Sequence, residues 1–181
     1  MFPVKIRPHL IPFLFKEMEG TEASYMNKTA KSIKISPVSS LGKFLYVQFL
    51  EKKIIGKRDR FIIYLTIETK KFNVYEGTLY ISIKNIKEII YLKEEQINEI
   101  NNLIEDIFRI SFIYFIDGFL SFSEKGNIKK AIDLFIDKYD LLEFGFSNES
   151  LRRLFYRDKE KGQKLCRVQF KSSNRVHNFH T

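Results

Sequence analysis

The stretch 92–122 constrains the fold more than any other part of this 181-residue chain. Its first half places apolar residues at helical spacing, and from Ile107 onward they occur on every side, as in a helix that other elements surround. Arg109, Asp117 and Gly118 interrupt this apolar run, which falls short of the ~20 residues that a membrane span needs. The pattern predicts a long, buried helix in a protein without a transmembrane segment.

Two further patterns predict strands and helices around that helix. Residues 61–68 are β-branched and aromatic, and 72–83 alternates near its end, so both are typical of strands. Ser36-Pro37 favours the start of a helix that runs to about Lys53. We expect an α+β fold: a small antiparallel sheet with a mainly helical C-terminal half that ends in a helix-turn-helix-like pair. The remaining expected elements are a short strand at 4–7, a short helix at 8–18, a loop or weak strand at 20–36, and helices at 128–139 and from Ser147 to near Gly162.

These elements suggest three regions. Residues 1–122 would form an α+β core domain around the long helix, and 123–165 a DNA-binding helical pair. Residues 166–181 would form a flexible basic tail, which either orders on contact with a partner or stays disordered.

Charge is unevenly distributed along the chain, whose formal net charge is +9. Residues 28–60 hold nine basic and two acidic side chains, and 144–181 again nine basic and three acidic. The middle, 88–143, holds six basic and twelve acidic side chains. Basic segments of this kind are typical of proteins that bind phosphate backbones, although a solubilising surface explains the counts equally well.

Residues 145–155, Gly-Phe-Ser-Asn-Glu-Ser-Leu-Arg-Arg-Leu-Phe, carry the clearest motif. They resemble the second half of the helix-turn-helix of bacterial regulators and recombinases. The resemblance implies a turn at Gly145 with positive φ, Phe146 in the core, and an inward face of Leu151, Leu154 and Phe155. Upstream, Asp140 and Leu141 depart from the motif, so the first helix should end near Tyr139 and a longer connection should follow. The longer stretch SNESLRRLFYRDKEKG (147–162) also resembles small proteins of phages and integrative elements.

The outward face of the last helix would then meet duplex DNA. Arg can bind guanine bidentately, Asn can read adenine, and Tyr or further Arg side chains can hold phosphates. The side chains expected to contact DNA, including those of the tail, are Ser147, Asn148, Arg152, Arg153, Tyr156, Arg157, Lys159, Lys161, Arg167, Lys171 and Arg175.

The sequence contains few residues or motifs that are typical of enzyme active sites. The chain has one cysteine and three histidines, and it contains neither Gly-x-x-x-x-Gly-Lys-Ser/Thr nor Gly-x-Gly-x-x-Gly, the two glycine motifs that bind phosphates. We therefore expect no metal, no cofactor and no catalytic residue. Glu68 and Lys70 resemble the Glu-x-Lys of restriction-type nucleases, but Asp59 would lie nearly 30 Å away, at ~3.3 Å per residue of strand. We expect the acidic residues of the long helix on a solvated face, because negative charge near a helix start is favourable: Glu94, Glu95, Glu99, Glu105 and Asp106.

The sequence thus predicts a non-enzymatic, cytoplasmic DNA-binding protein, such as a regulator or accessory factor of a phage or mobile element. The alternative is a protein–protein adaptor or phage structural component, which would use aromatic surfaces around Phe112, Phe115 and Phe119 and bind a partner or a second copy. RNA binding is a third option, since Tyr and Phe occur beside Lys, but no RNP-like motif accompanies them.

Overall fold

The computed structural model describes residues 2–25, 28–36, 38–50, 61–69, 75–83, 92–122 and 127–160. The chain divides into two compact units, Met1–Asn101 and Asn102–Thr181. The expected region boundaries after residues 122 and 165 stay predictions.

The described residues contain five strands, five α-helices and one 3-10 helix (Leu141–Phe144). In chain order the strands and α-helices are β1 (Phe2–Ile6), α1 (Leu10–Glu17), β2 (Thr21–Tyr25), β3 (Lys28–Ile35), α2 (Ser40–Leu50), β4 (Phe61–Thr69), β5 (Tyr75–Ile83), α3 (Glu94–Phe122), α4 (Ile128–Tyr139) and α5 (Asn148–Glu160).

The backbones of the five strands pair in the order β1-β5-β4-β3-β2, and every pairing is antiparallel. In the longest ladder, β4 and β5 align Phe61 with Ile83 and Thr69 with Tyr75. Pro3 belongs to β1, which is an edge strand. An edge is where proline is tolerated, because a central position would require the N–H donor that proline lacks.

The predicted fold class, α+β with a small antiparallel sheet, is wrong. Helices dominate instead, with 78% of the interpretable part of the chain helical, so the protein is mostly helical. Strands do occur where they were expected at 4–7, 61–68 and 72–83, and the stretch 20–36, expected as a loop or a weak strand, contains β2 and β3. Local alternation can indicate a strand, but it carries no information on which distant segment pairs with it.

In the first unit, α1 contributes more buried hydrophobic residues than any other described element. Leu10, Ile11, Phe13 and Leu14 are buried, together with Ile33 and Ile35 of β3 and Leu45 of α2. The backbone N–H of Arg7 donates to Oδ1 of Asn101 over 2.9 Å, which ties the start of α1 to α3 within this unit.

The start of α2 differs from the prediction. The cap is Ser39 rather than Ser36, because Oγ of Ser39 accepts a hydrogen bond from the N–H of Gly42 over 3.0 Å. The carbonyl of Ser36 instead accepts from the backbone N–H and hydroxyl of Ser39. Pro37 lies outside the described residues.

In the second unit, Phe135 of α4 is the centre of an aromatic cluster. Its ring centroid lies 5.0 Å from that of Phe112 and 5.7 Å from that of Phe108, both in edge-on geometry, and 4.8 Å from that of Tyr139. Edge-on pairs of this kind add to the gain from apolar burial. The cluster therefore fixes α4 against α3.

The start of α4 is capped by Asn127. Its Oδ1 accepts hydrogen bonds from the backbone N–H groups of Lys129 and Lys130, over 2.9 and 3.4 Å. These are two of the donors that the first turn of a helix leaves without an intrahelical acceptor.

Candidate nucleic-acid interface

The connection from α4 to α5 confirms the predicted turn. α4 ends at Tyr139, as expected, and Asp140 follows in the left-handed conformation with φ 54°. Residues Leu141–Phe144 form a single 3-10 turn, and Gly145 closes it with φ 79°. A left-handed residue is costly for most side chains and cheap for glycine, so the positive φ explains why glycine suits this position.

The inward face of α5 is also confirmed. Leu151, Leu154 and Phe155 are at most 3% exposed, and the ring of Phe155 lies edge-on to that of Phe112 at 6.5 Å. Phe146, just before the helix, is 4% exposed and packs edge-on against Phe108 at 6.1 Å. Apolar anchoring along one face therefore directs the opposite face of α5 outward.

Ser147, where the last helix was expected to start, caps α5. Its Oγ accepts from the N–H of Ser150 over 3.1 Å, while Oγ of Ser150 accepts from the N–H of Ser147 over 2.9 Å. The hydroxyl of Ser150 also donates to the carbonyl of Ser147 over 2.8 Å. The two hydroxyls thus serve the helix start, in the reciprocal manner of a capping box.

The side chain of Asn148, expected to read a base, points to α4 instead. Its Nδ2 donates to the backbone carbonyl of Lys129 over 3.0 Å and to Oδ1 of Asp133 over 2.7 Å, and both acceptors belong to α4. The amide joins α5 to α4.

Arg152, Arg153 and Tyr156 lie on the outward face, and all three are exposed. The guanidinium carbon of Arg152 is 5.8 Å from the centroid of the Tyr156 ring. Nε of Arg153 lies 3.0 Å from Oε1 of Glu149, with side-chain exposures of 79% and 61%. Exposed pairs at this spacing contribute only about 0.3–0.5 kcal/mol, so a phosphate can compete for Arg153.

Arg157 and Lys159 follow in the last turn of α5. Arg157 is half-buried, and its Nε lies 3.8 Å from Oδ1 of Asp158, which is 3% exposed. Lys159 is exposed, with Nζ 5.5 Å from the centroid of the Phe155 ring. Of the two, Lys159 is the more accessible to a ligand.

The described helix pair carries balanced charge. Residues 127–160 contain seven basic and seven acidic side chains, whereas 161–181 contain five basic and no acidic ones. The remaining expected contacts lie outside the described residues: Lys161, Arg167, Lys171 and Arg175.

Some exposed cations were not predicted as contacts. Lys129, Lys130 and Lys138 of α4 are exposed. The helical pattern could have indicated them, because they occupy positions between the buried residues of α4.

The acidic residues of α3 do not all lie on a solvated face, contrary to the prediction. Glu94, Glu95 and Glu99 are exposed, but Glu105 and Asp106 are each 1% exposed. Oε1 of Glu105 lies 2.6 Å from Nε of Arg109, which is also 1% exposed. The signal was present, since Glu105 precedes the buried Phe108 and Phe112 by three and seven residues and so shares their face.

The aromatic surface named for a protein-binding role is corrected in part. Phe112 is fully buried in the cluster around Phe135, while Phe115 and Phe119 are intermediate in exposure.

Among the described residues, no group of three or more His, Cys, Asp or Glu side chains could hold a metal ion. Asp59 and Lys70 lie outside the described residues.

None of the helices in the described ranges combines the length and apolarity that crossing a membrane would require. The chain matches no protein-family model, no curated protein and no solved structure.

Proposed function

We propose that this chain binds double-stranded DNA through the outward face of α5 and has no enzymatic role. The observation that carries the proposal is the pair Arg152 and Arg153, two adjacent and exposed guanidinium groups on a helix whose opposite face is anchored in the core. Guanidinium groups bind phosphate oxygens in a planar, two-pronged geometry.

The five basic residues of 161–181 support the proposal, because they follow α5 directly in the sequence. The balanced charge of 127–160 means that electrostatic attraction would depend strongly on these residues and on the basic segment 28–60. Each phosphate that a cation neutralises releases counterions, so the affinity should fall steeply with salt. A role in the cytoplasm, as a regulator or accessory factor of a phage or mobile element, belongs to the same proposal.

The test is duplex binding by the full chain, measured by fluorescence anisotropy at several salt concentrations. Replacing Arg152 and Arg153 together by Ala should weaken binding at least about tenfold, since a hydrogen bond to a charged group contributes about 1.5–3 kcal/mol.

Lys129→Ala with Lys130→Ala is the matched control, because it also removes two adjacent, exposed cations and lies on the neighbouring helix. It should weaken binding less. Unchanged affinity in the double arginine variant, with folding intact by circular dichroism, would show that α5 does not contact DNA.

A protein-binding role is the second candidate, and exposed apolar side chains favour it. On α3, Ile107 is 40% and Tyr114 46% exposed, and their separation of seven residues places them on one face. Leu142 of the 3-10 turn is 65% exposed. Size-exclusion chromatography with light scattering, with and without duplex, separates the candidates: a stable oligomer indifferent to DNA supports this one.

A further inference from the structure

The polar side chains at the start of α5 form hydrogen bonds with other groups of the same chain. Asn148 donates two hydrogen bonds from Nδ2, to Lys129 and Asp133, which equals the donor capacity of an amide nitrogen. To read adenine, an asparagine must direct this same nitrogen to the base while its oxygen accepts from the base. Base reading by Asn148 would therefore require breaking both bonds to α4.

The other side chains of this turn are no better placed to read bases. The hydroxyls of Ser147 and Ser150 are engaged with each other's backbone. The carboxylate of Glu149 contacts Arg153 at 3.0 Å, and its negative charge opposes the approach of phosphates.

Cations lie further along the helix. Arg152 and Lys159 are exposed and lie on one face with the exposed phenol of Tyr156 between them, at separations of four and three residues, and we call these three side chains the basic stripe. At 1.5 Å per residue, the stripe is about 10 Å long. One DNA strand carries a phosphate per 3.4 Å of helix axis, so about three phosphates match this length.

We infer that α5 holds duplex DNA by its phosphates through the basic stripe and does not select a base sequence. This inference rests on the proposed function, and it names the chemical feature of the ligand that the site would recognise. In a helix-turn-helix protein, the N-terminal end of the recognition helix contacts bases. In this chain, the corresponding end of α5 contacts α4 instead.

The experiment measures the affinity of the full chain for duplexes of equal length and unrelated sequence, together with selection from a random duplex library. We expect affinities within about tenfold of one another and no enriched motif, whereas specific binding is typically ~1,000-fold or more tighter than non-specific binding. Arg152→Ala should weaken binding to all duplexes alike and reduce the salt slope by about 0.9, the value for one phosphate contact.

Asn148→Ala is the second variant. It should lower thermal stability but leave the affinity for every duplex unchanged, and Lys130→Ala serves as an exposed control on α4. An enriched motif, or a loss in Asn148→Ala confined to one sequence, would overturn the inference while the proposed function stood. Absence of binding to every duplex would overturn both.

Discussion

Replacing Glu105 by Gln should destabilise the protein far more than the same change at Glu149. Both carboxylates face an arginine four residues later on the same helix, Arg109 at 2.6 Å and Arg153 at 3.0 Å. The pairs differ in burial, because both side chains are 1% exposed in the first and 61% or more exposed in the second. The comparison therefore tests the effect of burial on two ion pairs of the same spacing and the same residue types.

The expected magnitudes follow from that difference. Removing one partner of a buried pair leaves the other charge in a poorly solvated site and costs about 3–5 kcal/mol. The exposed pair should cost about 0.3–0.5 kcal/mol, because water and salt already screen it. The decrease in the free energy of unfolding should therefore be roughly ten times larger for Glu105→Gln than for Glu149→Gln.

The assay is urea denaturation followed by circular dichroism, with double-mutant cycles that add Arg109→Gln and Arg153→Gln. The cycle for the buried pair should give a coupling energy of about 1.5 kcal/mol or more, within the range for residues in direct contact. Equal costs for the two glutamates, or a coupling energy near zero for the buried pair, would refute the reasoning.

Two further predictions concern the second unit. Phe135→Ala should cost about 3–5 kcal/mol because it empties the centre of the aromatic cluster, whereas Leu134→Ala, at a 42% exposed neighbouring position, should stay within about 0.5 kcal/mol. Similar denaturation midpoints for these two variants would contradict the described core. Gly145→Ala should cost about 1–2 kcal/mol through the backbone alone, since φ is 79° and nothing lies within 4 Å of an added Cβ. Gly145→Asn should lower the free energy of unfolding by less, because asparagine tolerates the left-handed conformation. Equal melting temperatures for wild type and Gly145→Ala would argue against a left-handed turn.

The helix pair was predictable because its signals are local. A glycine followed by an apolar residue and a serine predicts the turn, and the spacing of Leu151, Leu154 and Phe155 predicts which face is buried. These features depend on residues within one or two helical turns of each other.

The contacts of Asn148 were not predictable in the same way. The pattern places this side chain near the outward face, but only the packing of α5 beside α4 brings Asp133 and the carbonyl of Lys129 within reach. The fold class failed for another reason, since local patterns indicate individual strands but not the overall share of helix, which dominates this protein. The positive φ of Asp140 likewise lacks a strong local signal, because aspartate adopts many conformations.

The link between α4 and α5 has a consequence for chain length. The left-handed residues Asp140 and Gly145 bracket one 3-10 turn, and the N–H of Phe146 donates to the carbonyl of Leu141 over 3.2 Å. Adding or deleting a residue there would shift Phe146 out of register with its contact on α3. Most surface connections accept such changes, but this one should reject epitope tags and natural insertions, and homologous chains that keep both helices should keep its length.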